Sequence, residues 1–276
     1  MSVTWHSPAP RPAVARAPGH WRRVAWRGAR IALVIGAGVL ATLLLRPVER
    51  PVHGMARPWT QPVTVWVCRR VLVILRIAHE VAGTPMEGPG AVVANHVSWL
   101  DIFALNARKR VYFVSKAEVA GWPGIGFLAR LVGTVFITRD PRAARAHTAL
   151  LQARLAAGQR LLFFPEGTST DGMRVRPFKT TLFEALCAPG TGLDGARVQP
   201  VTLVYEAPEG TDPRVYGWWG DMAFASHLLT VLGMPRQGRV RVVCHTPVPL
   251  GEGRKALAAA CEAAVRAGMP EDRRGV

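Results

Sequence analysis

Beyond Pro89 the chain alternates short apolar runs with longer stretches of helical period, and no other feature constrains its fold as much. Residues 91–95, 111–115, 134–138, 160–164, 198–205 and 239–245 read as strands, being short, apolar and rich in β-branched or aromatic side chains. Residues 99–107, 124–131, 141–157, 180–186, 221–232 and 254–267 read as the helices between them. Strands that alternate with helices make an α/β architecture with helices covering the sheet. A chain of 276 residues, 49% of them hydrophobic, can fill one such core and still carry an appendage. The expected fold is α/β: a mixed sheet with helices on both faces, over residues 85–270, preceded by a helical membrane anchor.

In sheets of this kind ligands sit beyond the carboxyl ends of strands. His96, Arg139 and Glu166 each follow a strand candidate directly. His96 belongs to Asn95-His96-Val97-Ser98-Trp99-Leu100-Asp101, with Ser98 a candidate N-cap for the next helix. An Asp five residues after a His lies about one and a half helical turns away and can fold back onto one ring nitrogen. A carboxylate there fixes the tautomer and raises the basicity of the other nitrogen, which is what a general base needs to take a proton from an alcohol. The alternative is a surface turn in which the two side chains never meet.

Three more clusters lie further along. An Arg leaving the apolar run Val135-Phe136-Ile137-Thr138, as Arg139 does, suits bidentate binding of phosphate or carboxylate, or pairs with Asp140 on the surface. In Phe164-Pro165-Glu166-Gly167-Thr168-Ser169 a strand runs into a turn of carboxylate, Gly and hydroxyl residues, and Arg174, Arg176 and Lys179 follow. Such a turn can hold a polar headgroup or an oxyanion on its N–H groups, or can be an ordinary capped turn. Pro200, opening an apolar strand, implies an edge or a bend beside the site.

Other chemistries have no seat. There is no GxSxG elbow and no GxxxxGK[ST] loop, and the glycines at 124 and 126 follow Trp122-Pro123 rather than a strand. Cys68, Cys187, Cys244 and Cys261 are scattered, with no CxxC and no His at ligand spacing, so neither a metal site nor a disulfide framework is expected. His227, on an otherwise apolar helix, reads as structural.

The formal charge of +17 suits an anionic membrane or nucleic acid. Residues 1–30 carry Arg11, Arg16, Arg22, Arg23, Arg27 and Arg30 with no acid and several Pro, and read as a disordered basic tail. Residues 31–45 are then unbroken apolar sequence. A signal peptide is opposed by Arg46, Pro47, Glu49 and Arg50 standing where a small-residue cleavage site belongs. As a helix this run reaches about 22 Å, short of the roughly 30 Å hydrocarbon core. Residues 63–78 are apolar but interrupted by Arg69, Arg70 and Arg76, the pattern of a helix lying in the interface. Residues 31–80 therefore read as an anchor that enters and returns or enters partway, with one ordinary span as the competitor. Arginine on both flanks prefers the cytoplasmic side of the inner membrane, which would leave the catalytic domain facing the cytoplasm. A membrane-anchored nucleic-acid binder is the rival from another class. It needs basic residues interleaved with exposed aromatics across the folded part, and much of the basic excess lies in the tail and anchor instead.

Taken together and in order, NHVSWLD, GTVFITR, FPEGTST and VQPVTL resemble the four blocks of the glycerolipid acyltransferases, typified by 1-acyl-sn-glycerol-3-phosphate acyltransferase. The resemblance spans roughly residues 85–250. It implies acyl transfer, without a cofactor, from the thioester of acyl-CoA or acyl-carrier protein to a lysolipid hydroxyl. His96 would be the base and Asp101 its orienter, with no covalent acyl-enzyme. Arg139, Glu166, Gly167, Thr168, Ser169 and Lys179 would bind the acceptor, and Pro200 would lie at the acyl-donor pocket. The implied acceptor is 1-acyl-sn-glycerol-3-phosphate, giving phosphatidic acid at an anionic membrane surface, with no nucleic acid involved. One departure stands out: members acting on that lipid commonly carry Arg directly after FPEGT, where this chain has Ser169. TSTDG followed by RPFK is similar to the subgroup that acylates lyso-ornithine lipid, which is the alternative acceptor.

Overall fold

The computed structural model describes residues 5–7, 9–12, 14–88, 90–108, 110–138, 140–187, 195–251 and 253–274. The chain opens with two helices, α1 (His20–His53) and α2 (Thr60–Leu75), which pack against each other. There follow β1 (Ala78–Ala82), β2 (Gly90–Ala94), α3 (Asp101–Asn106), β3 (Tyr112–Lys116), α4 (Ile125–Leu131), β4 (Val135–Ile137), α5 (Ala144–Ala156) and β5 (Leu161–Phe163). The last part holds α6 (Glu184–Cys187), β6 (Arg197–Glu206), α7 (Phe224–Gly233), β7 (Arg239–Cys244), β8 (Val248–Pro249), α8 (Arg254–Ala267) and α9 (Glu271–Arg274).

The strands form one mixed sheet in the order β1-β7-β6-β2-β5-β3-β4, with β8 added to β6. From β6 through β2, β5 and β3 to β4 every pairing is parallel, while β7 runs antiparallel to β6. Successive side chains of a strand point to opposite faces, and β2 divides accordingly. Val92 and Ala94 join a core with α2, α3 and α7, whereas Ala91 and Val93 join a second core with α5 and α8. Helices thus cover both faces, and every residue of β2 is buried, as the central strand of a doubly covered sheet requires.

The amino-terminal third departs from the sequence reading in three ways. First, the helix starts at His20, so residues 20–30 are not a disordered tail. Arg23 Nε donates to Gly233 O at 2.7 Å, and Arg27 donates to Leu232 O and Met234 O at 2.8 and 2.7 Å. These guanidiniums meet carbonyls at the end of α7 that a helix leaves without partners. Second, α1 runs for 34 residues, about 51 Å, and is long and apolar enough to cross a membrane by length and composition. Third, the boundary drawn between an anchor at 31–80 and a domain at 85–270 is not a break in packing. Cys68, Val71, Leu72 and Leu75 of α2 lie in the core, and β1 is already an edge strand of the sheet. The two helices approach closely where Gly38 faces Val67; a Cβ at residue 38 would lie 2.4 Å from Val67 Cγ2.

Pro200 is also placed differently. It lies inside β6, a central strand, paired with Val93 of β2. On the other side of β6, β8 ends its pairing at Val198 and β7 begins at Val201. The proline occupies the gap between two partners, where a missing N–H leaves no rung of the ladder open.

Candidate active site

β2 ends at Ala94, and the next side chain ties its end to β6. Asn95 Nδ2 donates to Leu203 O at 2.9 Å and its Oδ1 accepts from Leu203 N at 2.7 Å, so one buried amide stands in for a backbone pair. The chain then turns at His96 and reaches α3, whose first residue, Asp101, folds back over the turn. The same carboxylate oxygen, Oδ2, accepts from His96 Nδ1 at 2.7 Å, Val97 N at 2.8 Å and Ser98 N at 3.0 Å. The other oxygen accepts from Tyr205 OH at 2.9 Å. Burial and the Asp101 charge push the Tyr205 phenol well above its usual range, so it stays a donor. Oδ2 already accepts from two backbone N–H groups and Oδ1 from the phenol, so Asp101 offers its neighbours acceptors only, and the His96 nitrogen that faces it, Nδ1, carries the proton. The lone pair of Nε2 is then free for a proton. The His96 side chain is 22% exposed and that of Asp101 0%, so the pair has one wet end.

Behind it, the His96 ring stacks on Phe164 at 4.0 Å and 10°. Glu166, completely buried, supports the turn from below: Oε1 accepts from His96 N at 2.8 Å and Oε2 from Arg176 N at 3.2 Å. Burial pushes its carboxyl up to about 8, against the lowering effect of those two N–H groups. Thr170 donates to His96 O through N at 2.9 Å and Oγ1 at 3.2 Å, and Trp218 N donates to Val97 O at 2.9 Å. The N–H groups of His96, Val97, Ser98 and Gly167 all have acceptors, the last at Phe164 O, 3.0 Å away. Those four are consumed in shaping the turns.

The structure brings most of the expected acceptor residues to one place. Gly167 has φ of 71°, a left-handed conformation open to glycine, and a Cβ there would stand 2.8 Å from Lys179 Nζ. Lys179 N donates to Pro165 O at 2.9 Å, which holds the exposed Lys side chain over the Glu166-Gly167 turn. Ser169 Oγ donates to Trp218 O. Arg139 lies outside the described residues. Pro200 is level with Val93 in the body of the sheet, below the edge where His96 stands.

Sequence reasoning missed several partners. Tyr205 looks like one more apolar residue of a buried strand, and Trp218 comes from a loop with no motif. Least expected are the residues before α1. Trp5 N donates to Thr168 Oγ1 at 3.4 Å and Ser7 Oγ to Asp171 Oδ2 at 3.3 Å, while the Trp5 ring lies 6.4 Å from Trp219. Arg174, bonded to Asp171 at 3.3 and 3.4 Å, stacks its guanidinium 5.3 Å from the Trp5 centroid. A strap from the start of the chain thus lies on the turn that follows Glu166. His227 is structural, as expected: it accepts from Trp99 Nε1 at 2.9 Å and donates to Val215 O at 3.2 Å, and burial lowers its pKa to about 4.

A family model described as acyltransferase matches residues 76–204. A lyso-ornithine lipid O-acyltransferase of Rhodobacter capsulatus is 58% identical over 250 residues, 90% of each chain. One of Brucella abortus is 36% identical over 86% of this chain and 93% of its own. A 1-acyl-sn-glycerol-3-phosphate acyltransferase of Neisseria meningitidis is 35% identical over 74% of this chain and 79% of its own. The crystal structure of a 1-acyl-sn-glycerophosphate acyltransferase from Thermotoga maritima superposes with a TM-score of 0.59 at 20% identity, covering 92% of this chain and 97% of that one, a likeness of fold.

Proposed function

The chain belongs to the acyltransferase family and acylates a lysolipid, and from that premise we propose that His96 is its general base and lyso-ornithine lipid its acceptor. The observation that carries the mechanism is the bond from His96 Nδ1 to Asp101, which leaves Nε2 basic at the mouth of the turn. The acceptor hydroxyl gives its proton to Nε2 as its oxygen attacks the thioester carbonyl of acyl-CoA or acyl-carrier protein. The tetrahedral intermediate collapses by expelling the thiolate, which takes that proton back from Nε2. An ester and a free thiol result, with no acyl-enzyme. Positioned proton transfer of this kind contributes roughly a hundredfold to ten-thousandfold in rate.

Three observations support the acceptor. The 58% identical relative bears that activity in its name. Ser169 stands where a phosphate-binding Arg would be, with its hydroxyl engaged by Trp218 O. Arg174, a candidate replacement, is occupied by Asp171 and Trp5. A second reading, 1-acyl-sn-glycerol-3-phosphate giving phosphatidic acid, is favoured by the Lys179 ammonium over the Gly167 turn. The protein works at the cytoplasmic face of the inner membrane, where α1 presents Leu33, Leu40, Leu43 and Leu44 outward.

The test is single-turnover transfer by detergent-purified protein, offered each lysolipid with long-chain acyl-CoA or acyl-carrier protein, with His96→Ala as control. Product from lyso-ornithine lipid that disappears in the variant supports the reading. Product from 1-acyl-sn-glycerol-3-phosphate alone supports the second acceptor, and activity that survives His96→Ala overturns the mechanism.

A further inference from the structure

At the sheet edge opposite His96, five guanidiniums line one cavity. Arg46 and Arg50 come from the last turns of α1, Arg57 from the loop before α2, Arg130 from the end of α4 and Arg154 from the end of α5. Helices α4 and α5 finish there just before β4 and β5 begin, so the cavity lies at the amino ends of the parallel strands. His96 stands at their carboxyl ends. The cavity measures about 530 Å³, within the usual range of small-ligand sites.

Its charge is poorly compensated from within the chain. Among the described residues Glu49 is the only acid paired with any of the five, through Arg46 at 3.1 Å. Glu49 is already saturated, accepting from Trp59 N at 2.7 Å, Thr60 N at 2.9 Å and Thr60 Oγ1 at 2.6 Å to cap the start of α2. Arg57 is built in. It donates to Leu131 O at 2.6 Å and lies over Gly133, where a Cβ would come within 3.0 Å of its Cζ. Its Nε is buried and, among the described residues, has no acceptor. Five guanidiniums with one carboxylate among them repel one another, and a buried N–H without an acceptor is costly. Both are relieved by an anion with several oxygens, the geometry that guanidinium forks match.

The surroundings say which anion. Val48, Val52, Met55 and Trp59 are exposed around this end of the helix pair, continuous with the exposed leucines of α1. A ligand that is anionic at one end and apolar at the other fits such a pocket. We propose that the cavity binds the phosphate headgroup of an anionic phospholipid that is not the substrate, with its acyl chains along the apolar flank of α1. Bound there, the lipid would fix the end of the helix pair farthest from the reaction.

The test uses the full chain in neutral detergent and titrates dihexanoyl phosphatidylglycerol, dihexanoyl phosphatidylcholine and inorganic phosphate, with binding read by calorimetry and by thermal shift. Arg50→Gln with Arg130→Gln removes two exposed guanidiniums of the cavity. Arg145→Gln with Arg236→Gln removes two exposed charges elsewhere and serves as control. Phosphatidylglycerol should bind saturably, at least about tenfold more weakly in the cavity variant and unchanged in the control, since a hydrogen bond to a charged group carries roughly that discrimination. Equal affinity for phosphatidylcholine, equal loss in the control or no loss in the cavity variant would each overturn the site. Inorganic phosphate binding as tightly as phosphatidylglycerol would overturn the lipid assignment. If the cavity variant unfolds, competition against Arg50→Gln alone, with the same expected direction, decides.

Discussion

Tyr205 and His96 are held by opposite oxygens of one buried carboxylate: the phenol donates to Asp101 Oδ1 at 2.9 Å and the imidazole to Oδ2 at 2.7 Å. A residue of β6 thereby fixes the orientation of the carboxylate that holds His96, the proposed base. Asp101→Asn presents an N–H where an acceptor is needed, so transfer should fall by roughly a hundredfold to ten-thousandfold. Tyr205→Phe removes one hydrogen bond to a charged group, and about a tenfold loss in kcat is expected with acceptor KM nearly unchanged. Steady-state kinetics of both variants, with the pH profile of kcat, checks this. A Tyr205→Phe enzyme with unaltered kcat and pH profile would show that the phenol serves packing alone.

Glu166 makes stability depend on pH. Its carboxyl is raised from 4.5 to about 8, first by burial. The folded state therefore binds a proton that the unfolded state releases, and the stabilising contribution is full below about pH 4.5. It is lost as pH rises through 8, so Tm should decline across that window. Glu166→Gln removes the titration. It should be less stable at low pH, because its amide N–H₂ opposes one of the two backbone N–H groups, yet its Tm should vary less with pH. Thermal unfolding in detergent from pH 5 to 9 gives the difference between the two profiles. Parallel profiles would mean that Glu166 does not titrate there.

The sheet was legible because β2, β5 and nearly all of β6 are buried on both faces and read as short apolar runs, while β3 and β7 keep enough buried Val, Tyr and Phe to read the same way. Prediction of β2, β3, β5, β6 and β7 from such runs needs no tertiary knowledge. Edge elements gave less: β1, Ala78–Ala82, alternates exposed and half-buried residues, and β8 has two residues. For α2, Arg69 and Arg70 suggested an interfacial helix, whereas its other face carries Cys68, Val71, Leu72 and Leu75 into the core. At the site, His96 and Asp101 could be paired from a spacing of five residues. Tyr205, Trp218 and Trp5 could not, since they arrive from strands and loops far away in sequence. Composition likewise misread residues 20–30: arginines that resemble a solvated tail are bound to carbonyls of α7.

The strap before α1 offers a test of whether the turn after Glu166, the proposed acceptor site, needs its cover. Trp5 touches Thr168 through its backbone, Trp219 through its ring and Arg174 through a cation–π contact. Such a contact contributes about 0.5–2 kcal/mol, depending on exposure. Trp5→Ala should therefore raise the acceptor KM by roughly twofold to thirtyfold and leave kcat nearly unchanged. Kinetics at saturating acyl donor separates the two parameters. A fall in kcat with KM unchanged would place the strap on the donor side instead.

Ser169 decides between acceptors most directly. Its hydroxyl donates to Trp218 O, while Trp218 N donates to Val97 O, so the residue helps clamp a tryptophan loop onto the His96 turn. Ser169→Arg gives up that bond and supplies a guanidinium beside Thr168. A bidentate Arg–phosphate contact is worth about 1.5–3 kcal/mol. The preference for 1-acyl-sn-glycerol-3-phosphate over lyso-ornithine lipid, taken as the ratio of kcat/KM values, should rise at least about tenfold. Ser169→Gln, which loses the bond without gaining charge, separates the two effects: it should lower both activities together and leave the ratio alone. If Ser169→Arg and Ser169→Gln give the same ratio in equally stable proteins, residue 169 does not face the acceptor headgroup. Discrimination must then lie with Lys179 and the strap.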